Sequence, residues 1–379
     1  MDNHPIYAPV LRWRRAEKGA LYELPIETKN QIVPIIEFTH PYIFKGASDL
    51  RQMLNSVETA VIEITRYWGN APVYIGTHEL AYYIDQSPEL LDRIFFTASE
   101  LSLTVIPVIN WDARAATKER LLSIAKIYGF KICIQARLGS HPIEGLASEL
   151  DVLLSTYNIE REMCDLIVDA QIISDDSDVF RVVANELPNL NEWNRVIFSG
   201  GAFPLDLTKL IIPRNYYLPR YDWLAWKGMV LLTQQENPLL FSDYTTQHPI
   251  YREFDPGVIP NPSASIRYTA DEYWLVMRGR ALRPHRNEKA TSKERYLQYP
   301  AEASLLIDLK EYCGPDFSPG DQYILDIAAG NGHTGSPESW LRAGFSHHIA
   351  YTVHQVLALQ SDLVESREEV EAYIHGSSH

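Results

Sequence analysis

Eight short apolar runs punctuate residues 7–243 of this chain, and stretches with helical spacing separate them. They read YAPVLRW, IVPIIEF, PVYIGT, TVIPVIN, KICIQARL, DLIVDAQ, RVIFSGG and PLLFSDY. A strand buried on both faces reads as a continuous apolar run, which is the mark of a parallel sheet. The runs predict strands over 7–13, 31–38, 72–77, 103–110, 131–138, 165–171, 195–201 and 238–244. Eight such strands alternating with helices, joined by right-handed crossovers, predict a closed (β/α)8, TIM-barrel-like fold over residues 1–250. In such barrels the chemistry sits at the C-terminal ends of the strands.

The intervening segments carry helix signals. Leu50, Met53, Leu54, Val57, Val61 and Ile64 recur at helical spacing behind the capping pair Ser48–Asp49. Ser87–Pro88 opens another helix, and Gly129 closes the one that starts near Ala116. The pattern changes after residue 250. A long turn-rich loop precedes IRYTADEYWLVMRGR, which alternates like a strand pair. The polar, basic stretch 282–296 reads as a loop, 300–312 as a helix, and the segment through 337 as turn-rich. The chain then ends in a helical region. Residues 251–379 therefore read as an extension packed on the barrel.

Composition narrows the function classes. The chain has 49 Asp and Glu against 34 Lys and Arg, a net charge of −15. A broad nucleic-acid surface needs the opposite excess, so none is expected. No apolar stretch approaches the ~18 residues of a membrane span, so no membrane association is expected. Three widely spaced cysteines, one in a predicted strand and one at the start of another, fit neither a disulfide framework nor a zinc site. A reducing compartment, the cytoplasm, is the expected location.

Polar residues collect where the predicted strands end. They are Arg12, Glu37, Thr77–His78, Asn110 with Asp112, Arg137, Asp169, Ser199–Gly200–Gly201 and Asp243. A closed barrel brings these ends to one rim. Glu37, Asp169, Asp243 and His78 are the candidates for acid–base work, and the three carboxylates also offer hard oxygen ligands for a divalent metal. Arg12 and Arg137 are candidates for holding an anion, with Asp112 beside them. Ser199, Gly200 and Gly201 suit a phosphate cradle of backbone N–H groups, or else a tight turn. Ion pairing across the mouth is the structural alternative for all these charges.

Two further motifs carry less. ILDIAAGNGHTG is similar to the first glycine-rich loop of methyltransferases, with Asp326, Gly330 and Gly332. That loop needs a strand feeding the first helix of a doubly wound sheet, and too little chain remains to build one. The basic run Arg283, His285, Arg286, Lys289, Lys293 and Arg295 reads as a solvated loop or, in the sharper version, an arm for a phosphate-bearing or acidic partner.

Pro9, Leu11, Arg12, Trp13, Arg14 and Glu17, followed by Pro34, Ile36 and Glu37, resemble the opening of the Beta protein family of phages, satellite phages and bacterial genomes. RYDWLAW, IRYT with Arg278–Gly279, and Trp340, Arg342, His347 and His348 continue the resemblance along nearly the whole chain. The resemblance implies a role in phage–host conflict, as a defence or toxin-control component. Its partner would be another protein of such a system or a small phosphorylated ligand, and Arg12, Glu37 and Arg278 would be site residues or locks of the barrel mouth. A hydrolase of nucleotide-like phosphate esters is the alternative that the rim residues suggest.

Overall fold

A computed structural model of the chain describes residues 5–139, 143–174, 179–187, 190–207, 209–210, 214–233, 239–251, 261–284, 287–331 and 333–376. Its strands, in chain order, are β1 (Val10–Leu11), β2 (Ile35–Glu37), β3 (Val73–Gly76), β4 (Val105–Asn110), β5 (Ile132–Arg137), β6 (Cys164–Ile172), β7 (Arg195–Gly201), β8 (Arg214–Pro219), β9 (Leu240–Asp243), β10 (Ser263–Thr269) and β11 (Tyr273–Ala281).

Strands β1 to β7 and then β9 form one parallel sheet in that order. The Ala8 N–H donates to the Phe241 carbonyl at 2.9 Å, and Tyr7 bridges both Phe241 and Ile32 in the parallel sense. These contacts return the last strand to the first. The architecture is the predicted TIM-barrel-like (β/α)8 fold, with helices between the strands. Successive side chains alternate sides along a strand. Val10, Ile35, Tyr74, Val108, Cys133, Ile167, Ile197 and Leu240 therefore fill the inside of the ring. Leu11, Ile36, Ile75, Ile109, Ile134, Val168, Phe198 and Phe241 face the helices.

The helices follow their local signals. Leu50–Tyr67 starts at Asp49, whose carboxylate accepts the Gln52 N–H at 2.9 Å, and buries Val57, Ala60, Val61 and Ile64. Gly129 ends Ala115–Tyr128 in the left-handed conformation, φ 69°, where glycine has no Cβ penalty.

Three segments depart from expectation. The strand pair β10–β11 gains a third antiparallel strand, β8, from the segment between the seventh and eighth predicted strands. β8 is an edge strand ending in Pro219, a position where the missing N–H costs no ladder bond. Within the predicted loop 282–296, Ser292–Tyr296 is helical, because Thr291 and Glu294 form a capping box. Arg295 there is buried and paired with Glu288; His285 and Arg286 lie outside the described residues. The turn-rich segment before 337 contains the helix Pro319–Ala328, started by the Ser318 cap. That helix takes in ILDIA, so the glycine-rich stretch follows a helix and not a strand.

The last helix, Pro337–Gly376, docks the extension onto the barrel. Phe345 packs on Ala16 and Ala20 of the helix Arg15–Glu23. Ile349, Val353 and Val356 join the layer between the strands and their helices. Cys133 and Cys164 are buried thiols and Cys313 an exposed one, none of them paired. Among the described residues, no helix is long and apolar enough to cross a membrane.

Gly320 sits where the helix Pro319–Ala328 meets the last helix, and a Cβ there would overlap the Ala343 carbonyl. Backbone cannot move aside as a side chain can. Gly320→Ala is expected to lower stability in denaturant titration by about 1–3 kcal/mol. Gly228→Ala, in the helix Tyr221–Thr233 with nothing within 4 Å of the new atom, is expected to raise it by about 0.5–1 kcal/mol.

Candidate functional site

Strand phase sorts the predicted rim. Arg12 follows Val10 by two residues, Glu37 follows Ile35, Asn110 follows Val108, and Asp169 and Ser199 follow Ile167 and Ile197. All of them continue the inward-facing rows, as does Arg137 four residues beyond Cys133. The Arg137 guanidinium stands at their centre. It pairs with Glu37, and lies 3.5 Å from both Glu79 and Asp169. Asp169 also accepts the Tyr244 hydroxyl at 2.7 Å, the Gln135 amide at 3.2 Å and the Gln171 N–H at 2.9 Å. Burial pushes the Asp169 carboxyl above its ordinary range, and Arg137 and Tyr244 pull against that rise. These carboxylates are committed to protein donors.

Arg12 is committed as well. Its Nη2 donates to the carbonyls of His248 at 2.7 Å and Pro249 at 2.5 Å. It thereby ties the segment following β9 to the strand-one end of the mouth. Gln247 from the same segment donates to Glu17 at 3.0 Å, and Arg267 donates to the Thr246 carbonyl at 2.6 Å.

Ser199, Gly200 and Gly201 do not form a loop. They lie inside β7, and Ser199 accepts the Ser242 hydroxyl at 3.1 Å. A Cβ on Gly200 would meet Ile173 at 2.6 Å outside the ring, and one on Gly201 would meet Pro249 at 2.7 Å inside it. The Gly201 carbonyl takes the Ile173 N–H at 3.0 Å. The glycines allow close packing of neighbours, in place of the expected phosphate cradle or tight turn.

Asp243 is separated from the other rim residues. It has the parity of Phe241, so it points out of the ring to the last helix. It accepts from the Tyr7 hydroxyl at 2.5 Å, the Thr245 N–H at 2.9 Å and His348 Nε2 at 2.9 Å. His348 Nδ1 lies 2.8 Å from the Thr269 hydroxyl. The order carboxylate, imidazole, hydroxyl is that of a nucleophile relay. All three residues are fully buried, so the relay acts as a latch between β9, β10 and the last helix. Arg220 adds to it, donating to Gln355 at 2.6 Å and to the Ala270 carbonyl at 3.2 Å. Burial keeps the His348 pKa below its ordinary value, which makes it the neutral N–H donor to an ionised Asp243. Burial beside Asp243 raises Asp222 to about 7. Arg278 belongs to the three-stranded sheet, where it donates to the Leu210 carbonyl. It makes no described contact with the rim.

His78 and Asp112 remain at the mouth. With Gly76, Thr77, Asn110, Gln135 and the Asp85–Arg114 ion pair (3.1 Å) they line a cavity of about 210 Å³. Burial, then the nearby Arg137, hold the His78 imidazole below its ordinary pKa. Asn110 is 6% exposed, and its Oδ1 has no hydrogen-bond partner. A larger cleft, about 630 Å³, lies outside the ring between the helices Arg15–Glu23 and Leu50–Tyr67 and the last helix. Four of its charges pair internally, Arg14 with Glu17 at 2.8 Å and Lys18 with Glu63 at 2.5 Å. The mouth cavity, at the strand ends and with the unpaired Asn110 Oδ1 in its wall, is the better candidate.

The divalent-metal expectation finds no support in this geometry. Glu37 and Asp169 share Arg137 while Asp243 faces away. Among the described residues, no three His, Cys, Asp or Glu side chains are grouped to hold a metal ion. Sequence reasoning missed Tyr244, Glu79 and Gln135. Gln135 carried a signal, standing two residues before Arg137 and so on the same face.

The Beta protein family model matches residues 7–354. The chain belongs to that family. No curated protein matches it. Among solved structures it is similar to ligand-free tryptophan synthase from M. tuberculosis, at 11% identity over 64% of this chain and 84% of that one, TM-score 0.31. A protein from Aquifex aeolicus VF5 matches at 12% identity over 49% and 81%, TM-score 0.25. A GH138 enzyme targeting pectin rhamnogalacturonan II matches at 10% over 73% and 37%, TM-score 0.26.

His348→Gln replaces the titrating imidazole of the latch without adding bulk. It is expected to cost about 1–3 kcal/mol at pH 7.5. A base whose folded pKa is depressed adds stability above its unfolded value of 6.5 and loses it as pH falls below that. The gap between wild type and His348→Gln should therefore narrow from pH 7.5 to pH 5.5 in parallel denaturation curves.

Proposed function

We propose that this Beta-family barrel acts by binding at its mouth, taking a small ligand or one side chain of a protein partner into the cavity beside His78. The observation that carries this reading is the cavity itself. It sits at the strand ends, where barrels place their sites. Its wall holds a buried acceptor without a partner, Asn110 Oδ1, next to a charge cluster whose members are engaged. A buried acceptor left unpaired in a wall that also holds Ile84, Val108 and Leu121 is stabilised by a ligand that supplies the missing bond. The family resemblance adds the setting, phage–host conflict, with a protein of a defence or toxin-control system as partner. Three unpaired cysteines fit a reducing, cytoplasmic milieu. The phosphorylated-ligand version has weaker support, since Arg12 and Arg137 donate to protein acceptors and the glycines lie in a strand.

Ala113 lines the cavity, and Ala113→Phe fills it. Native mass spectrometry of protein purified from its own host is expected to reveal a bound small molecule or partner in wild type and none in this variant. Phage plating on a deletion strain should be restored by wild type and not by Ala113→Phe. A wild-type protein that carries nothing, with plating indifferent to the gene, would sink the reading.

One observation favours hydrolysis as the second reading. An imidazole kept neutral in a cavity, beside the carboxylates Glu79 and Asp112, is competent as a general base. On this reading His78→Ala lowers turnover of a phosphodiester substrate by about 10²–10⁴-fold with the fold intact by circular dichroism. Equal turnover in the variant removes His78 from that role.

A further inference from the structure

The polar groups of the mouth cavity are mostly acceptors. Asn110 Oδ1 lacks a donor. Gln135 spends one of its two amide N–H groups on Asp169, and its carbonyl oxygen has acceptor capacity. Asp112 is exposed at the lip and has no ion pair among the described residues. His78 near neutral pH offers a lone pair. The one strong donor in the wall, Arg114, is turned largely to solvent and engaged by Asp85.

Charge points the same way. Asp85 and Asp112 line the cavity, and Glu37, Glu79 and Asp169 stand behind it. Arg114 and Arg137 oppose these five carboxylates. The balance stays negative with Arg12 counted, and also with Asp169 protonated. A cleft of one sign walled by low-dielectric protein concentrates the opposite sign.

We infer that the group taken into the mouth is a small organic cation rich in N–H donors, a protonated amine or a guanidinium, and not a phosphate. This rests on the reading of the cavity as the binding site. A volume of about 210 Å³ is below the ~300–1,000 Å³ of drug-sized sites. The ligand is therefore small, or inserts only its cationic end. Its ammonium or guanidinium protons satisfy Asn110 Oδ1, the Gln135 carbonyl and the Asp112 carboxylate together.

Agmatine, inorganic phosphate and acetamide are titrated separately into the full chain by calorimetry, with Asp112→Asn and Ala113→Phe in parallel. Asp112 is exposed, so its amide variant keeps the fold. Agmatine is expected to bind wild type, to weaken at least tenfold in Asp112→Asn and on raising the salt, and to be lost in Ala113→Phe. Agmatine binding untouched by either substitution places it elsewhere and overturns the inference. Phosphate or acetamide binding that Ala113→Phe abolishes, without agmatine binding, overturns the cation class and leaves the cavity reading standing. No binding by any probe overturns the inference along with its premise.

Discussion

Ring closure is the constraint on which the rest of the molecule depends, and it rests on very little backbone. β1 contributes two residues, Val10 and Leu11. The junction with β9 is one parallel bridge and the bond from Ala8 N–H to the Phe241 carbonyl. Side chains do what the ladder does not. Tyr7 stacks on Phe241 with centroids 5.7 Å apart, and its hydroxyl donates to Asp243. Closure fixes the pleat, and the pleat decides which strand-end side chains see the mouth and which see the helices.

At the mouth a buried charge cluster and a cavity are neighbours. Taking Glu37, Arg137 and Asp169 out of water costs several kcal/mol per ion before pairing. The cluster is tolerable because each member is met, Arg137 by three carboxylates and Asp169 by Tyr244, Gln135 and a backbone N–H. Arg137 touches everything in it, so it also lowers the His78 pKa at the cavity wall. The engaged charges set the potential of the cavity, while Asn110 Oδ1 in its wall has no partner.

Two adjacent histidines knit the C-terminal region to the barrel. His348 holds Asp243, and His347 lies 2.9 Å from Asp321 and 2.8 Å from the Thr269 carbonyl, stacked on Tyr268 at 3.7 Å. Neighbouring residues on a helix diverge by about 100°, so one turn reaches both the barrel and the helix Pro319–Ala328. A helix seam built from buried hydrogen bonds is specific in register, because a slip leaves several polar groups unmatched. These contacts give His347 and His348 a structural role in the seam.

The barrel itself was legible in the chain, because a parallel strand buried on both faces leaves an apolar run that nothing else explains, and eight of these in sequence leave one architecture. The same property hid part of the site. A run such as PLLFSDY is apolar on both faces, so it carries no alternation from which to tell inside from outside. Asp243 therefore read as a rim residue like Asp169, and Tyr244, which does face the mouth, was not counted. β8 escaped for another reason, since an edge strand needs only a weak pattern when its partners supply the register. What the amino-acid order determined by itself was the count of barrel strands, most of the helices between them and the collection of polar residues where strands end. What only the folded ring decided was the phase of each strand, and with it the split of those residues between an open cavity and a sealed latch, because phase is set by contact with neighbours and not by local composition.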